Sequence, residues 1–329
     1  MRRIGMRRIL VTGAAGQIGS ELTLALRQRY GAENVVAGVH RTPPSGPLQE
    51  SGPCATVDVT QPETLLAALD RHRIDTVFHM AAILSAVGEA RPQLAWQVNM
   101  NGLYNLLEIA RERGLRLFCP SSIAVFGPEA PRDAAPQETI LRPTTIYGVT
   151  KVAGELLGDY YVRRYGLDVR GVRYPGIISA ETPPGGGTTD YAVAIFYEAV
   201  AHGEYTCFVR EDTVLPMMYM PDCVRAAIEL MEADPARLKR HCDFNLAAMR
   251  FSAGELAAEI RKHLPHFLCR YAPDERQAIA DSWPRSMDDA AARQEWGWAP
   301  EYDLPRMTAD MLHRLTARHR EGRLYPQPQ

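Results

Sequence analysis

The sequence predicts an α/β protein in which a doubly wound parallel sheet is followed by a smaller C-terminal domain. Three observations over the 329 residues predict it. Short apolar runs rich in β-branched residues alternate with stretches of helical apolar spacing through the first half. A glycine-rich turn separates the first such run from the first helix. After about residue 176 the alternation gives way to helical pieces broken by prolines.

Ile9–Thr12 is the first expected strand, and the helix after it places Ile18, Leu22, Ala25 and Leu26 on one face. Val35–Val39, Ala55–Val57 and Thr76–Met80 follow as strands. Pro92 suits the first turn of a long amphipathic helix carrying Ala95, Leu103, Leu106, Leu107 and Ala110. Leu115–Cys119 is a fifth strand, 147–165 a helix and Asp168–Tyr174 a sixth strand. Strands this continuously apolar belong to a parallel sheet covered on both faces, and right-handed crossovers make it doubly wound. Residues 1–176 read as this first domain and 177–329 as the smaller one, with about 216–246 returning to the sheet. Asp222 is the expected N-cap of a helix through Met231. Asp243–Leu246 is one more strand. Pro265, Pro273, Pro284, Pro300 and Pro305 break the helical pieces beyond Ser252.

Composition excludes several function classes. Lys and Arg number 37 against 39 Asp and Glu, so there is no basic field to hold nucleic acid. The longest mostly apolar stretch, Val77–Gly88, contains His79 and falls short of the roughly 20 residues of a membrane span. The basic N-terminus runs into Gly13 too soon for a secretory signal. Met1-Arg2-Arg3-Ile4 is nearly repeated as Met6-Arg7-Arg8-Ile9, and Met6 is taken as the functional start. Six scattered cysteines without a Cys-x-x-Cys pair suit reduced thiols in the cytoplasm. His263 and His266 flank Pro265 with no carboxylate nearby, so no metal site is expected.

Thr12-Gly13-Ala14-Ala15-Gly16-Gln17-Ile18-Gly19 stands between a strand and a helix, the setting of a Rossmann-type dinucleotide site. Gly13 permits the turn, Gly16 lets the backbone approach a pyrophosphate, and Gly19 packs helix on strand. The amides of Gln17 and Ile18 face the phosphates. An NAD site of this kind usually ends its second strand on Asp or Glu, to bind the ribose 2′-OH. Here the strand ends Gly38-Val39-His40-Arg41. Arg41 or His40 at the adenine ribose leans the site toward a 2′-phosphate; alternatively Arg41 stacks on adenine or is solvated. Asp58 suits the adenine amino group or, equally, a turn before Pro62.

Tyr147-Gly148-Val149-Thr150-Lys151 puts a phenol and an ammonium on one helix face. A free tyrosine titrates near 10 and is a poor base at neutral pH. A neighbouring ammonium favours the phenolate, which can take a hydroxyl proton as hydride leaves carbon. Ser122 closes the preceding strand, where strand ends face the cofactor crevice, and can hydrogen-bond a substrate oxygen. Ser121 is the alternative for that role.

The glycine turn, Ser122, Tyr147 and Lys151, in this order, resemble the extended short-chain dehydrogenase/reductases. The resemblance narrows to the short-chain L-threonine 3-dehydrogenases over Ala81-Ala82-Ile83-Leu84-Ser85-Ala86, Pro120–Gly127 and Arg173-Tyr174-Pro175-Gly176-Ile177-Ile178-Ser179. It continues through Pro184-Gly185-Gly186-Gly187-Thr188-Thr189-Asp190-Tyr191-Ala192-Val193, Leu215-Pro216-Met217-Met218-Tyr219-Met220 and Ile279-Ala280-Asp281-Ser282-Trp283-Pro284. It runs from about Arg8 to Leu315. It implies NAD as cofactor, with Asp58, Val59, Met80, Ala81, Ala82, Asn99, Tyr174, Pro175 and Ile177 joining the glycine turn, Arg41, Tyr147 and Lys151 around it. It implies oxidation of L-threonine to 2-amino-3-ketobutyrate, which goes on to glycine and acetyl-CoA or to aminoacetone. A homodimer through the helices at 92–113 and 147–165 is the family expectation. Val39 departs from the Asp common in the family.

A small zwitterion must then be held beside Ser122 and Tyr147. Ser85 is placed for that, Thr188 and Thr189 lie on a glycine-rich loop able to close over substrate, and Trp283 can wall off the methyl group. A capping serine, solvent-facing hydroxyls and a core tryptophan are the plain alternatives. The rival functions are a nucleotide-sugar epimerase of the same superfamily and a non-catalytic dinucleotide-binding protein. Ile123 and Ala124 after Ser122 supply neither the acid nor the base of a dehydratase. A mere sensor has no need of Ser, Tyr and Lys together.

Overall fold

The β-branched and aromatic runs form the strands expected of them. The computed structural model describes residues 5–44, 46–185 and 187–325. The near-repeat at Met1–Ile4 and the Gly186 of the glycine-rich loop lie outside these. Strands β1 (Ile9–Thr12), β2 (Val35–Val39), β3 (Cys54–Thr56), β4 (Thr76–His79) and β5 (Arg116–Phe118) are followed by β6 (Ser121–Ser122) and β7 (Val169–Arg170). The central sheet is wholly parallel, in the order β3-β2-β1-β4-β5-β7. The order reverses between β1 and β4, the crevice where ligands bind in such sheets. Ile9, Leu10 and Val11 are fully buried, as strands covered on both faces must be.

The expected sixth strand is broken. After β7 the chain resumes as β8 (Val172–Tyr174), which pairs in parallel with β6 on one side. The break falls at Gly171, whose N–H bonds His241 O at 2.8 Å. A Cβ there would lie 2.8 Å from Cys242 O, so glycine lets two backbones close at this point. Next come β9 (Gly176–Ile178), β10 (Glu204–Cys207), β11 (Val214–Tyr219), β12 (Phe244–Asn245), β13 (Met249–Ser252) and β14 (Leu268–Tyr271). Of the segment expected to return to the sheet, β12 pairs in parallel with β8, in a three-stranded sheet of order β12-β8-β6 and not in the six-stranded one. Residues 216–219 lie in β11, which pairs with β9 and β13 in a separate three-stranded sheet.

Two helical expectations also change. The long helix from Pro92 runs as Pro92–Trp96 and Gly102–Arg113, joined by a wider π turn over Gln97–Asn101. Such turns occur often at functional sites, and Asn99 sits in this one. Asp222 does not cap its helix. The helix Met220–Glu232 has its N-cap at Tyr219, three residues before the expected one, and Asp222 falls inside its first turn. Its buried carboxylate accepts from the Glu301 N–H at 3.0 Å and the Tyr302 N–H at 3.1 Å, and pairs with Arg225 at 2.7 Å. A distant loop thus competes successfully for the side chain that local spacing assigns to the helix end. Among the described residues, no helix is long and apolar enough to cross a membrane.

Candidate active site

The first wall of the site is the turn after β1. Gly13 has φ +65°, and a Cβ there would lie 2.7 Å from Ala81 N, so the turn needs glycine. The helix Gln17–Tyr30 starts from Gly16 with no side-chain cap and no acidic residue in its first turn. Its leading N–H groups therefore face open space with a positive end-charge. Gln17 Nε2 is buried at the same place without a partner. An uncapped helix, a glycine cradle and an unused buried donor fit the diphosphate of a dinucleotide.

The second wall is the helix Ile146–Tyr165, capped where Thr145 accepts the Gly148 N–H at 3.0 Å. Tyr147 lies in its first turn and Lys151 one turn on. Lys151 Nζ donates to Pro120 O at 2.7 Å and stands 5.6 Å from the Tyr147 ring centre. The strand end separates the two serine candidates. Ser121 is buried, and its hydroxyl donates to Glu155. Arg173 binds that same carboxylate twice, at 2.9 and 2.7 Å. Ser122 accepts the Ala124 N–H at 3.2 Å, which leaves its own proton to donate. Ser122 alone of the pair keeps its hydroxyl proton for a ligand.

One open cleft collects these groups. Gly13, Gly16, Gln17, Ile18, Gly19 and Met80 line it, with Ala82, Ser122, Tyr147, Lys151, Tyr174, Pro175 and Ile177. Ser85, Thr188, Thr189 and Trp283 face it from the other side. Ser85 is no cap. It is the first residue of the helix Ser85–Ala90, which begins after Leu84. Thr188 Oγ1 is buried without a partner, and Trp283 is buried. Leu84, Pro120, Ile123, Gly176, Gly187 and Asp190 also line the cleft, though no motif pointed to them individually. Asp190 accepts the N–H groups of Gly185 at 2.6 Å and Gly187 at 2.8 Å, pinning the glycine-rich loop. An Asp just after a run of glycines is the one available signal for that.

Other candidates lie apart. Ala81 and Asn99 line a smaller cavity on the far side of Lys151. The Asn99 amide is spent within the protein. It accepts the Ile83 N–H at 2.8 Å and donates to Ile83 O at 3.0 Å and Thr150 Oγ1 at 3.1 Å. It braces the segment behind Lys151 rather than presenting its amide to the cleft. His79 also lines that cavity. Burial and then the charge of Lys151 push its imidazole down to about 3, so it is neutral, with Nδ1 at 3.0 Å from Thr12 Oγ1. Arg41, Asp58 and Val59 lie outside the cleft, beyond the ends of β2 and β3. Among the described residues no cluster of His, Cys, Asp and Glu is arranged to hold a metal.

Comparison with known proteins follows the same lines. The profile of the NAD dependent epimerase/dehydratase family matches residues 9–247. The mitochondrial L-threonine 3-dehydrogenase of Bos taurus is 50% identical over 308 residues, 93% of this chain and 82% of that protein. The X-ray structure of L-threonine dehydrogenase from Clostridium difficile matches with a TM-score of 0.94 at 48% identity, covering 98% of this chain and all of that one. A monomeric L-threonine 3-dehydrogenase from a metagenome, in its apo form, matches with a TM-score of 0.91 at 48% identity, over 94% of this chain and 99% of that one.

Proposed function

We propose, from the premise that this chain belongs to the NAD dependent epimerase/dehydratase family, that it is an NAD-dependent oxidoreductase acting on L-threonine at its hydroxyl-bearing carbon. The observation that carries this is the single cleft in which Ser122, Tyr147 and Lys151 meet Ser85, Thr188, Thr189 and Trp283. Relatives named as threonine dehydrogenases align over nearly the whole chain. Residues 1–176 carry most of the cofactor side together with Ser85, and 177–329 bring Thr188, Thr189 and Trp283 to the substrate side. Ser122 donates to the substrate oxygen and fixes its position. Lys151, anchored on Pro120 O, sets a positive charge against Tyr147. Tyr147 Oη takes the hydroxyl proton as the carbon–oxygen bond becomes a carbonyl. Bound nicotinamide supplies the acceptor for the hydride and its two electrons. Thr188, Thr189 and Trp283 position the amino acid and exclude water. The product is 2-amino-3-ketobutyrate, the entry point of threonine breakdown.

The test is reduced-cofactor absorbance with L-threonine, D-threonine, L-serine and UDP-sugars. Turnover restricted to L-threonine supports the reading. Turnover of UDP-sugars without it overturns the reading in favour of an epimerase.

The chain also has an exposed apolar face suited to a homodimer. Val87, Trp96, Tyr104, Val149, Leu156 and Tyr160 lie exposed on the helices at 85–96, 102–113 and 146–165, and Leu156 is 68% exposed. A patch of this kind marks an interaction surface. A relative of similar identity is monomeric, so light scattering on this chain decides. A mass of twice 36.6 kDa is expected, and Leu156→Glu should return it to the monomer.

A further inference from the structure

The adenosine end of the cofactor site lacks what restricts such a site to NAD. A carboxylate ending the second strand accepts from the ribose 2′-OH, and its charge repels a 2′-phosphate. Here β2 ends on Val39, which is buried in the core and pairs with Thr56 at the end of β3. The carboxylate that does stand at this rim, Asp58, is already committed. It accepts from the Thr60 N–H at 3.0 Å and the Thr60 hydroxyl at 2.7 Å, and its other oxygen lies 3.4 Å from His40 Nε2. Arg41 is exposed, and its charge acts on the Asp58 carboxylate without a hydrogen bond to it.

The connection that follows is fastened at its far end. Arg27, buried on the pyrophosphate helix, donates to Val35 O at 3.2 Å and Leu48 O at 2.6 Å. It also donates to Ser51 Oγ at 2.9 Å and Pro53 O at 2.7 Å. Arg41 thus stands at the root of a tethered loop. An arginine so placed offers paired donors of the kind that phosphate accepts.

We propose that Arg41 binds the 2′-phosphate of NADP and that the protein takes NADP as well as NAD. The inference rests on reading the cleft as a dinucleotide site. Burial works against the Asp58 charge, but the two Thr60 bonds and the charge of Arg41 outweigh it, so this carboxylate stays ionised and tied to Thr60 at the rim. Val39 leaves no charge at the end of β2 itself to oppose the phosphate.

Calorimetric titration of the protein with NAD and with NADP tests this without turnover. The ratio of the two dissociation constants should be about tenfold or less, and a larger ratio overturns the proposal. Arg41→Gln, at an exposed position, should widen that ratio several-fold, and so should Val39→Asp by adding a like charge. Raising salt should weaken NADP more than NAD. A ratio that Arg41→Gln leaves unmoved overturns the assignment of Arg41. Failure to bind NAD at all would instead sink the reading of the cleft as a dinucleotide site.

Discussion

The two walls of the cleft are built in different ways. The cofactor wall is local. Gly13–Gly19, Ser122, Tyr147 and Lys151 each sit at a strand end or in an early turn of a helix. The groups behind it are satisfied, with Ser121, Glu155 and Arg173 locked together in the interior. The substrate wall is gathered from remote pieces: Ser85, the loop at 187–190, and Trp283. Long-range bonds hold the last of these. Ala134 N–H donates to Ser286 Oγ at 2.7 Å, Ala135 N–H to Ser286 O at 2.9 Å, and Arg210 pairs with Asp281 at 2.9 Å. Proton and hydride transfer tolerate little misplacement, which suits rigid strand ends. Selecting a small amino acid suits loops placed on that scaffold.

The largest expected effect tests the rigid wall. Tyr147→Phe keeps the ring and removes the one oxygen placed to take the proton. It should lower kcat by about 10²–10⁴-fold and leave NAD binding nearly intact, as stopped-flow rates and calorimetry would show. Retention of more than about a tenth of kcat would place the base elsewhere.

A smaller effect is expected across the cleft. Thr188→Val keeps the shape and removes a buried hydroxyl with no protein partner. Loss of one hydrogen bond to substrate should raise KM for threonine by about tenfold, with kcat moving less. A fall in kcat at unchanged KM would move Thr188 to the catalytic side and erase the contrast between the walls.

The same contrast decides what the sequence could reveal. The glycine turn and the Tyr147/Lys151 spacing are local patterns, and their geometry follows from a strand feeding a helix. Ser122 was separable from Ser121 only in three dimensions, because the carboxylate that occupies Ser121 lies 34 residues on. The break at Gly171 and the use of Asp222 by the Glu301 and Tyr302 amides depend on backbone neighbours far along the chain. No period encodes them. Ser85, Thr188 and Trp283 were reachable through family likeness alone, since isolated residues on three segments carry no spacing to read.

Glu21 joins the two regions and gives the smallest expected effect. It lies one turn after Gln17 on the pyrophosphate helix, and it accepts from Ser179 Oγ at 2.6 Å, where the chain leaves β9 for the substrate loop. Burial is the main reason its carboxyl is pushed up to about 7. The Ser179 bond opposes this, Glu181 adds to it, and Arg314 and Arg318 oppose it. A carboxyl raised on folding contributes stability that is fully present below its unfolded value near 4.5 and is lost as pH rises through about 7. Glu21→Gln keeps an acceptor for Ser179 and cannot ionise. Relative to wild type it should therefore gain on the order of 1–2 kcal/mol between pH 5 and pH 8, since only wild type loses a carboxyl proton over that range. Urea unfolding at the two pH values measures this. Parallel pH dependence in both proteins would mean that Glu21 does not carry the titration. If KM for threonine changes in Glu21→Gln while kcat holds, the link through Ser179 serves the substrate loop and leaves the catalytic wall undisturbed.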